Sequence, residues 1–353
     1  MTISTINDVA ALAGVSVATV SNVINRKGTT APKTEARVRA AIKQLNYIPN
    51  TLAKDLKTSR TSTIGIVVED IGAFMTGQII EGISAVCEAQ DFALSLYNLR
   101  LEHLALLQKY VEYDKLVCLP EFRHSVELSV TSLLASRVSG LIYVGLHPRD
   151  VEGILPELPF PVVYAYCFTK SGDDYTVNYD DYQGAKLAVD YLAGLGHQRI
   201  ALISGPINSI PTHRRMQAYT ESLMEHDLVF DPAYVCTGSW GFSMGYEQCG
   251  RLLDLPAPPT AIFCMNDPMA FGAMKAAHER GVRVPEDLSL HGFDNDSASG
   301  FVIPALTTID LPLAQMGRAS AKILLDLMAG RQADNPRILL PCAHIPRQST
   351  ARP

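Results

Sequence analysis

The stretch Thr5-Ile6-Asn7-Asp8-Val9-Ala10-Ala11-Leu12-Ala13-Gly14-Val15-Ser16-Val17-Ala18-Thr19-Val20-Ser21-Asn22-Val23-Ile24-Asn25 decides how the chain begins to fold. Apolar residues recur at helical spacing in two short runs: Ile6, Val9, Ala10 and Ala13, then Val20, Val23 and Ile24. Thr5 is placed to cap the first run, and Asp8 three residues on comes close to a capping box. Gly14 supplies the turn, and Ser16 is placed to cap the second helix. Two short helices joined by a glycine turn make a helix-turn-helix, whose second helix is shaped to enter a DNA major groove. An ordinary packed helix pair has the same pattern, so residue identities must decide between the two.

Working outward, Pro32 opens a third helix, Lys33 to Leu45, with Val38, Ile42 and Leu45 on its inner face. Asn46-Tyr47 ends it and Pro49 begins a new segment. Asn50 to Thr58 is too short to be a stable helix alone and precedes the polar stretch Thr58-Ser59-Arg60-Thr61-Ser62. Residues 5–25, Asn46-Tyr47-Ile48-Pro49-Asn50 and Leu52-Ala53-Lys54-Asp55-Leu56 together closely resemble the headpiece of the lactose-repressor/galactose-repressor family of bacterial transcription regulators. Many identities fall at fixed spacing, and weaker matches continue to the carboxyl end.

The resemblance implies a DNA-binding headpiece over residues 1–48, a hinge helix and linker over 49–61 that folds when two subunits meet on DNA, and a core over 62–353. Val17, Ala18 and Asn22 are expected to face the bases, while Thr19, Ser21 and Asn25 hold phosphates or pack. Thr5, Ser16, Tyr47 and Asn50 complete the expected DNA contacts. Ala53 and Leu56 match the residues that the family wedges into the minor groove. Charge agrees with this division. Residues 1–60 hold nine Lys and Arg against Asp8, Glu35 and Asp55, a balance of +6, so the whole-chain −6 leaves −12 on residues 61–353. A basic head on an acidic body fits phosphate contacts made by the head.

At 353 residues the chain exceeds one ordinary domain, and 47% hydrophobic with 19% charged residues marks a globular protein with ample core. It has no run of about eighteen apolar residues and no basic-then-apolar leader, so no membrane span or secretion is expected. The seven cysteines are scattered without a CxxC pair and read as buried small hydrophobes in a reducing cytoplasm. The nine histidines show no HExxH or other metal spacing, so neither metal nor cofactor is expected.

From Thr63 strands and helices alternate. Strands are expected at 64–68, 92–97, 140–144, 161–166, 200–203, 234–237, 261–264 and 288–293, with helices at 78–89, 182–195, 214–226, 243–253 and 268–280. This is an α/β core of two doubly wound parallel-sheet subdomains, with ligands bound where strand carboxyl ends face a crevice. The resemblance implies the same periplasmic-binding-protein-like pair of lobes. It sets one lobe at about 62–161 with 292–324, and the other at about 162–291 with 325–353. Residues 99–124 exceed the family's usual loop; Leu101 to Lys115 has an amphipathic helical pattern, and Val117-Cys118-Leu119-Pro120 reads as extended.

The crevice candidates form a set. Arg215 stands where the family has Arg-x-x-Gly, with Ala218 replacing the glycine, and is expected to grip effector polar groups. Trp240 matches the family's stacking aromatic. Asn266 and Asp294 follow strand carboxyl ends, and Asp267 reads as a helix cap. Phe74 lies where the family lines its pocket, and Tyr166 stands where it often has an acid. Planar donors with one flat aromatic suit a hydroxyl-rich ring. Gly241-Phe242-Ser243-Met244-Gly245 also matches a hydrolase nucleophile elbow, with Asp267 or Asp294 and then His344 in hydrolase order. No HGGG-type loop accompanies it, so Ser243 reads as an N-cap and the chain as no enzyme. Gly194-Leu195-Gly196-His197 leads into a strand and reads as a helix stop. The expectation is therefore a cytoplasmic homodimeric repressor of operator DNA controlled by a small metabolite, a sugar or sugar derivative. An activator, a corepressor-dependent repressor and a plain solute-binding protein are the rivals.

Overall fold

Thr5 and Asp8 close a complete capping box at the start of α1 (Ile6–Ala13): the Asp8 N–H donates to Thr5 Oγ1, and the Thr5 N–H donates to Asp8 Oδ2 at 2.7 Å. Gly14 ends that helix in the left-handed region at φ 62°, a conformation that costs glycine nothing. The chain turns through 103° into α2 (Val17–Ile24), where Ser16 Oγ accepts the Thr19 N–H at 3.2 Å. Helix α3 (Pro32–Gln44) closes the unit over Val9, Ala10, Ala13, Val20, Val23, Val38 and Ala41, with Tyr47 packed against them. In this computed structural model the described residues are 4–24, 30–47, 62–101, 103, 117–332 and 335–353. The chain divides into units 1–61 and 62–353. Asn25, Asn50, Ala53, Leu56 and the expected hinge lie outside the described residues.

Two parallel sheets organise the second unit. The first runs β11-β5-β4-β3-β1-β2, built from β1 (Thr63–Val68), β2 (Ala93–Asn98), β3 (Leu141–Val144), β4 (Val162–Ala165), β5 (Tyr175–Tyr179) and β11 (Arg337–Leu340). The second runs β7-β6-β8-β9, built from β6 (Ile200–Ser204), β7 (Val235–Thr237), β8 (Ala261–Cys264) and β9 (Ser289–His291). A short antiparallel pair joins β10 (Thr308–Asp310) to β12 (Ala343–Ile345). Strands β3, β6 and β8 are buried at every position, as parallel strands covered on both faces must be, and so they read as continuous apolar runs. Helices α4 (Phe74–Glu88), α5 (Pro120–Ala135) and α10 (Leu313–Met328) belong with the first sheet, and α10 packs along α4. Helices α6 (Asp181–Gly194) and α7 (Ile210–Glu225) pack together, as do α8 (Phe242–Leu253) and α9 (Asp267–Glu279).

The sheets correct the lobe boundaries. β4 and β5 pair into the first sheet, so the chain leaves that sheet after Tyr179 and not near residue 161. β11 also pairs with β5, so residues 337–340 belong to the first sheet and not to the second lobe. Apolar runs announce strands, but the sheet each joins is chosen by hydrogen-bond partners distant in sequence. Val117 to Pro120 is a turn into α5, with Pro120 in that helix's first turn. Of the expected helix 101–115, only Leu101 and His103 are described.

Two of the three helix pairs cross on glycine. A Cβ on Gly82 of α4 would run into the Ala314 carbonyl, and one on Gly317 of α10 into the Ile79 carbonyl. Gly245 and Gly272 do the same between α8 and α9, against Met269 and Phe242. Gly317→Ala is therefore expected to destabilise the core by about 1–3 kcal/mol through overpacking. Gly77→Ala, on an exposed turn of α4 with open space at the Cβ, is expected to stabilise it by about 0.5–1 kcal/mol through helix propensity. Urea unfolding of the two variants checks this, and matching signs would contradict the crossing geometry.

Candidate functional site

Arg215 is the point where the two sheets meet. It projects from α7, is 3% exposed, and is spent on protein oxygens. Nε donates to Asp181 Oδ1 at 2.8 Å, Nη2 to the Tyr179 hydroxyl at 2.9 Å, and Nη1 to the Met265 carbonyl. Tyr179 ends β5 of the first sheet, Met265 follows β8 of the second, and Asp181 begins α6 between them. The guanidinium lies 3.6 Å from the Phe293 ring centroid and 5.6 Å from that of Trp240. Burial alone would lower its pKa, but Tyr179, Asp181 and Asp294 outweigh burial and hold the proton more firmly than usual.

Asp294 follows β9, where the chain crosses back toward the first sheet. Its φ is 110°, outside what most side chains adopt, and the backbone is pinned by its N–H to the Ile309 carbonyl at 2.9 Å. One carboxylate oxygen stands 4.0 Å from Arg215 Nη2. Burial raises the carboxyl well above its usual pKa; Arg215 offsets this only in part, and Asp267 and Asp181 add to it.

Asn266, not Asp267, is the cap of α9: its Oδ1 accepts the Met269 N–H at 2.9 Å, while its Nδ2 donates to the Trp240 carbonyl at 2.9 Å. Asp267, one residue on, is fully buried and takes Ser299 Oγ and Thr308 Oγ1 at 2.6 Å each and the Asp296 N–H at 2.8 Å. Burial pushes its pKa to about 6 despite those donors. An N-cap needs an extended backbone and a free side chain, and both of these belong to residue 266; pattern could not separate two adjacent cap-type residues.

The remaining candidates divide. Tyr166, in the left-handed region at φ 60°, is buried, its ring tilted against that of Tyr179 with centroids 5.5 Å apart. Trp240 is half-buried against Gly205. Phe74 starts α4 and is 41% exposed. Ser243 does not cap α8: Gly241 holds the cap position without a side-chain bond, and Ser243 is exposed inside the first turn. His344 packs against Tyr191 and stacks on His291, so no triad with Ser243 is assembled.

Three participants escaped the sequence reading: Asp181, Tyr179 and Phe293. Asp180-Asp181 at a helix start signals only caps, and Asp180 is indeed the cap. The same holds for Glu69 and Arg149, a buried ion pair at the carboxyl ends of β1 and β3, where Glu69 also accepts the Tyr143 hydroxyl at 2.6 Å and the Leu146 N–H at 2.7 Å. In the first unit, Val17 and Ala18 are exposed on α2, while Thr19, Ser21 and Asn22 are half-buried. Thr5 and Ser16 are exposed cap residues and Tyr47 is half-buried.

Residues 5–50 match the model for bacterial regulatory proteins of the lacI family, and residues 189–350 match that for a periplasmic binding protein-like domain. The chain is 34% identical over 324 residues to the HTH-type transcriptional repressor PurR of Haemophilus influenzae (strain PittEE), covering 92% of this chain and 90% of that one. It is 33% identical over 350 residues to the HTH-type transcriptional repressor CytR of Escherichia coli (strain K12), covering 99% and 97%. The crystal structure of the Lac repressor dimer bound to operator and the anti-inducer ONPF superposes with a TM-score of 0.79 at 30% identity, covering 99% of this chain and 100% of that one. A complex of the transcriptional regulator CelR with cellobiose gives a TM-score of 0.66 at 27% identity, covering 98% and 99%.

Arg215→Ala is expected to cost about 3–5 kcal/mol, because it leaves Asp181 buried without its counter-charge. Arg215→Met combined with Asp181→Leu should recover most of that loss, since replacing both members of a buried pair is close to neutral. Guanidinium chloride unfolding reads both variants, and a double variant as unstable as the single one would show that the pair is not the source.

Proposed function

The chain belongs to the lacI family of bacterial regulatory proteins and is a DNA-binding transcriptional repressor, and from that premise we propose that a small metabolite held between its two lobes controls its affinity for operator DNA. The supporting observation is the convergence on Arg215 of Tyr179 from one sheet, Met265 from the other, and Asp181 and Asp294 from the connections between them. A ligand touching that junction acts on both lobes at once, and a ligand can shift an equilibrium only by differential contact with its two states. Tyr166, Trp240 and Asp294 supply the ligand contacts, with Asn266 orienting the Trp240 backbone. A sugar or sugar derivative is the effector class, in keeping with the neighbour crystallised with cellobiose.

The repressor works in the cytoplasm as a homodimer. Phe301 and Ile303, in the connection after β9, are 85% and 95% exposed, an apolar pair suited to a subunit interface, and a structural neighbour is a dimer on its operator. The α2 face carrying Val17, Ala18 and Asn22 reads the bases. Thr5, Ser16, Thr19, Ser21, Asn25, Tyr47 and Asn50 position the phosphates, and Ala53 and Leu56 wedge the minor groove.

Val17 and Ala18 have no side-chain donors, so they select by methyl contact and shape, whereas Asn22 can pair with an adenine edge. Asn22→Ala is expected to relax one symmetric position per half-site at a cost of about 1–3 kcal/mol. Selection from a random DNA pool measures this, and an unchanged motif would show that Asn22 points elsewhere. Leu56→Ala should weaken operator binding far more than binding to random DNA, because it removes a wedge and not a charge.

Trp240 is the sole tryptophan of the sequence, so its emission reports the crevice directly. Titration with sugars, sugar phosphates, polyols and nucleobases should give a saturable change for one class, and the same compound should alter operator affinity. Whether it raises or lowers that affinity decides between corepressor and inducer. A compound that releases DNA without moving Trp240 emission would overturn the site.

A further inference from the structure

The ion pair of Glu69 and Arg149 lies at the carboxyl ends of β1 and β3, the end of a parallel sheet where ligands bind. Both side chains are buried. The Glu69 carboxylate takes three donors: the Tyr143 hydroxyl at 2.6 Å, the Leu146 N–H at 2.7 Å and Arg149 Nη2. Two of the three come from residues 145–151, so the carboxylate gathers that segment into a clasp. Replacing a buried ion pair by apolar side chains of like volume is often neutral or stabilising, so stability alone does not account for it.

The clasp in turn holds the segment that carries Tyr166. The Gly145 N–H donates to the Ala165 carbonyl at 2.9 Å, the Phe168 N–H to the Arg149 carbonyl at 3.0 Å, and the Val151 N–H to the Phe168 carbonyl at 2.8 Å. A Cβ on Gly145 would strike Cys167 at 2.6 Å, so clasp and segment are in direct contact. Tyr166 lies between these bonds at φ 60°, a conformation that a bulky residue keeps only where its surroundings enforce it. Its own N–H donates to the Val177 carbonyl at 3.0 Å, and Asn178 Nδ2 donates to the Cys167 carbonyl at 2.8 Å. Held there, the Tyr166 hydroxyl is near enough to Asp294, Arg215 and Asp181 to feel their charges. Building on the effector-site reading above, we propose that Glu69 and Arg149 are positioning residues of that site. They touch no ligand; they hold the clasp, and through it they hold Tyr166 in the conformation that sets it beside the Arg215 group. An effector that needs Tyr166 in that place binds only the fraction of molecules that present it, so loosening the clasp weakens binding by the reciprocal of that fraction.

The test incorporates 3-fluorotyrosine at position 166 of the full chain and reads its fluorine resonance with no ligand added. The wild type should give one resonance. Glu69→Gln keeps the side-chain shape and removes the charge, and Arg149→Met removes the cation. Each should add a second resonance, from molecules in which residue 166 has left the left-handed conformation. Arg149→Lys keeps a cation for Glu69 and should leave the first resonance dominant. If the single variants fail to fold, Glu69→Leu combined with Arg149→Met takes their place, since it removes both charges together. Binding is then read by Trp240 emission with glucose, ribose and cellobiose. For any of them that binds, the Kd should rise over wild type by the reciprocal of the fraction left in the first resonance. A single unchanged resonance in the charge-removing variants overturns the proposal, as does a split resonance with an unchanged Kd. The broader reading is judged separately, by whether the small-molecule fraction of a cell extract moves Trp240 emission. If the resonance splits and that fraction moves nothing, the clasp on Tyr166 stands and the effector site falls.

Discussion

One guanidinium holds the core's two halves in register. The Arg215 side chain is anchored on a helix of the second lobe, yet it bonds to the last residue of a first-lobe strand and to a helix start between the lobes. Taking such a charge out of water is expensive, and a buried pair rarely adds stability over apolar packing. What it provides here is geometry. Each donor has a single acceptor, so small shifts between the sheets strain several charge-assisted bonds together. An element with that property is suited to two discrete arrangements and poorly suited to intermediate ones.

The connections around it are built to carry that constraint. The crossings pass close together: Gln183 and Cys342 exchange hydrogen bonds through their side-chain amide and backbone, and a Cβ on Gly184 would press into Phe293 and Cys342. Asp267 ties the α9 start to Ser299 and Thr308 beyond the second crossing. Each lobe contains a helix pair packed at glycine distance. The candidate ligand contacts lie at the junction of these lobes.

The headpiece follows a different economy. Its core is a handful of small aliphatic side chains, and its order depends on local devices: a capping box, a left-handed glycine and a serine cap. Those devices act within a few residues of chain. Val17 and Ala18 are left exposed on α2, while residues 1–60 carry a basic balance suited to phosphate.

That difference explains what could be read in advance. Caps, turns and helix periods are local, so α1, α2 and α3 were legible from sequence, as were eight of the ten parallel strands of the core; β5 and β11 were not. The grouping of Arg215, Trp240 and Asp294 was legible through resemblance, and for Trp240 and Asp294 through their places after strand ends. The sequence by itself therefore determined most of the elements, their α/β alternation and the family, but not α5, α10, β5, β10, β11 or β12. Tertiary structure decided which sheet β4, β5 and β11 join, because strand partners are selected by hydrogen bonds between segments far apart in the chain. It also decided that Asn266 and not Asp267 caps α9, and that Tyr179, Asp181 and Phe293 enclose the guanidinium. The enclosure of the guanidinium depends on side chains 34 or more residues apart meeting in space, and such meetings leave no period or spacing in the sequence.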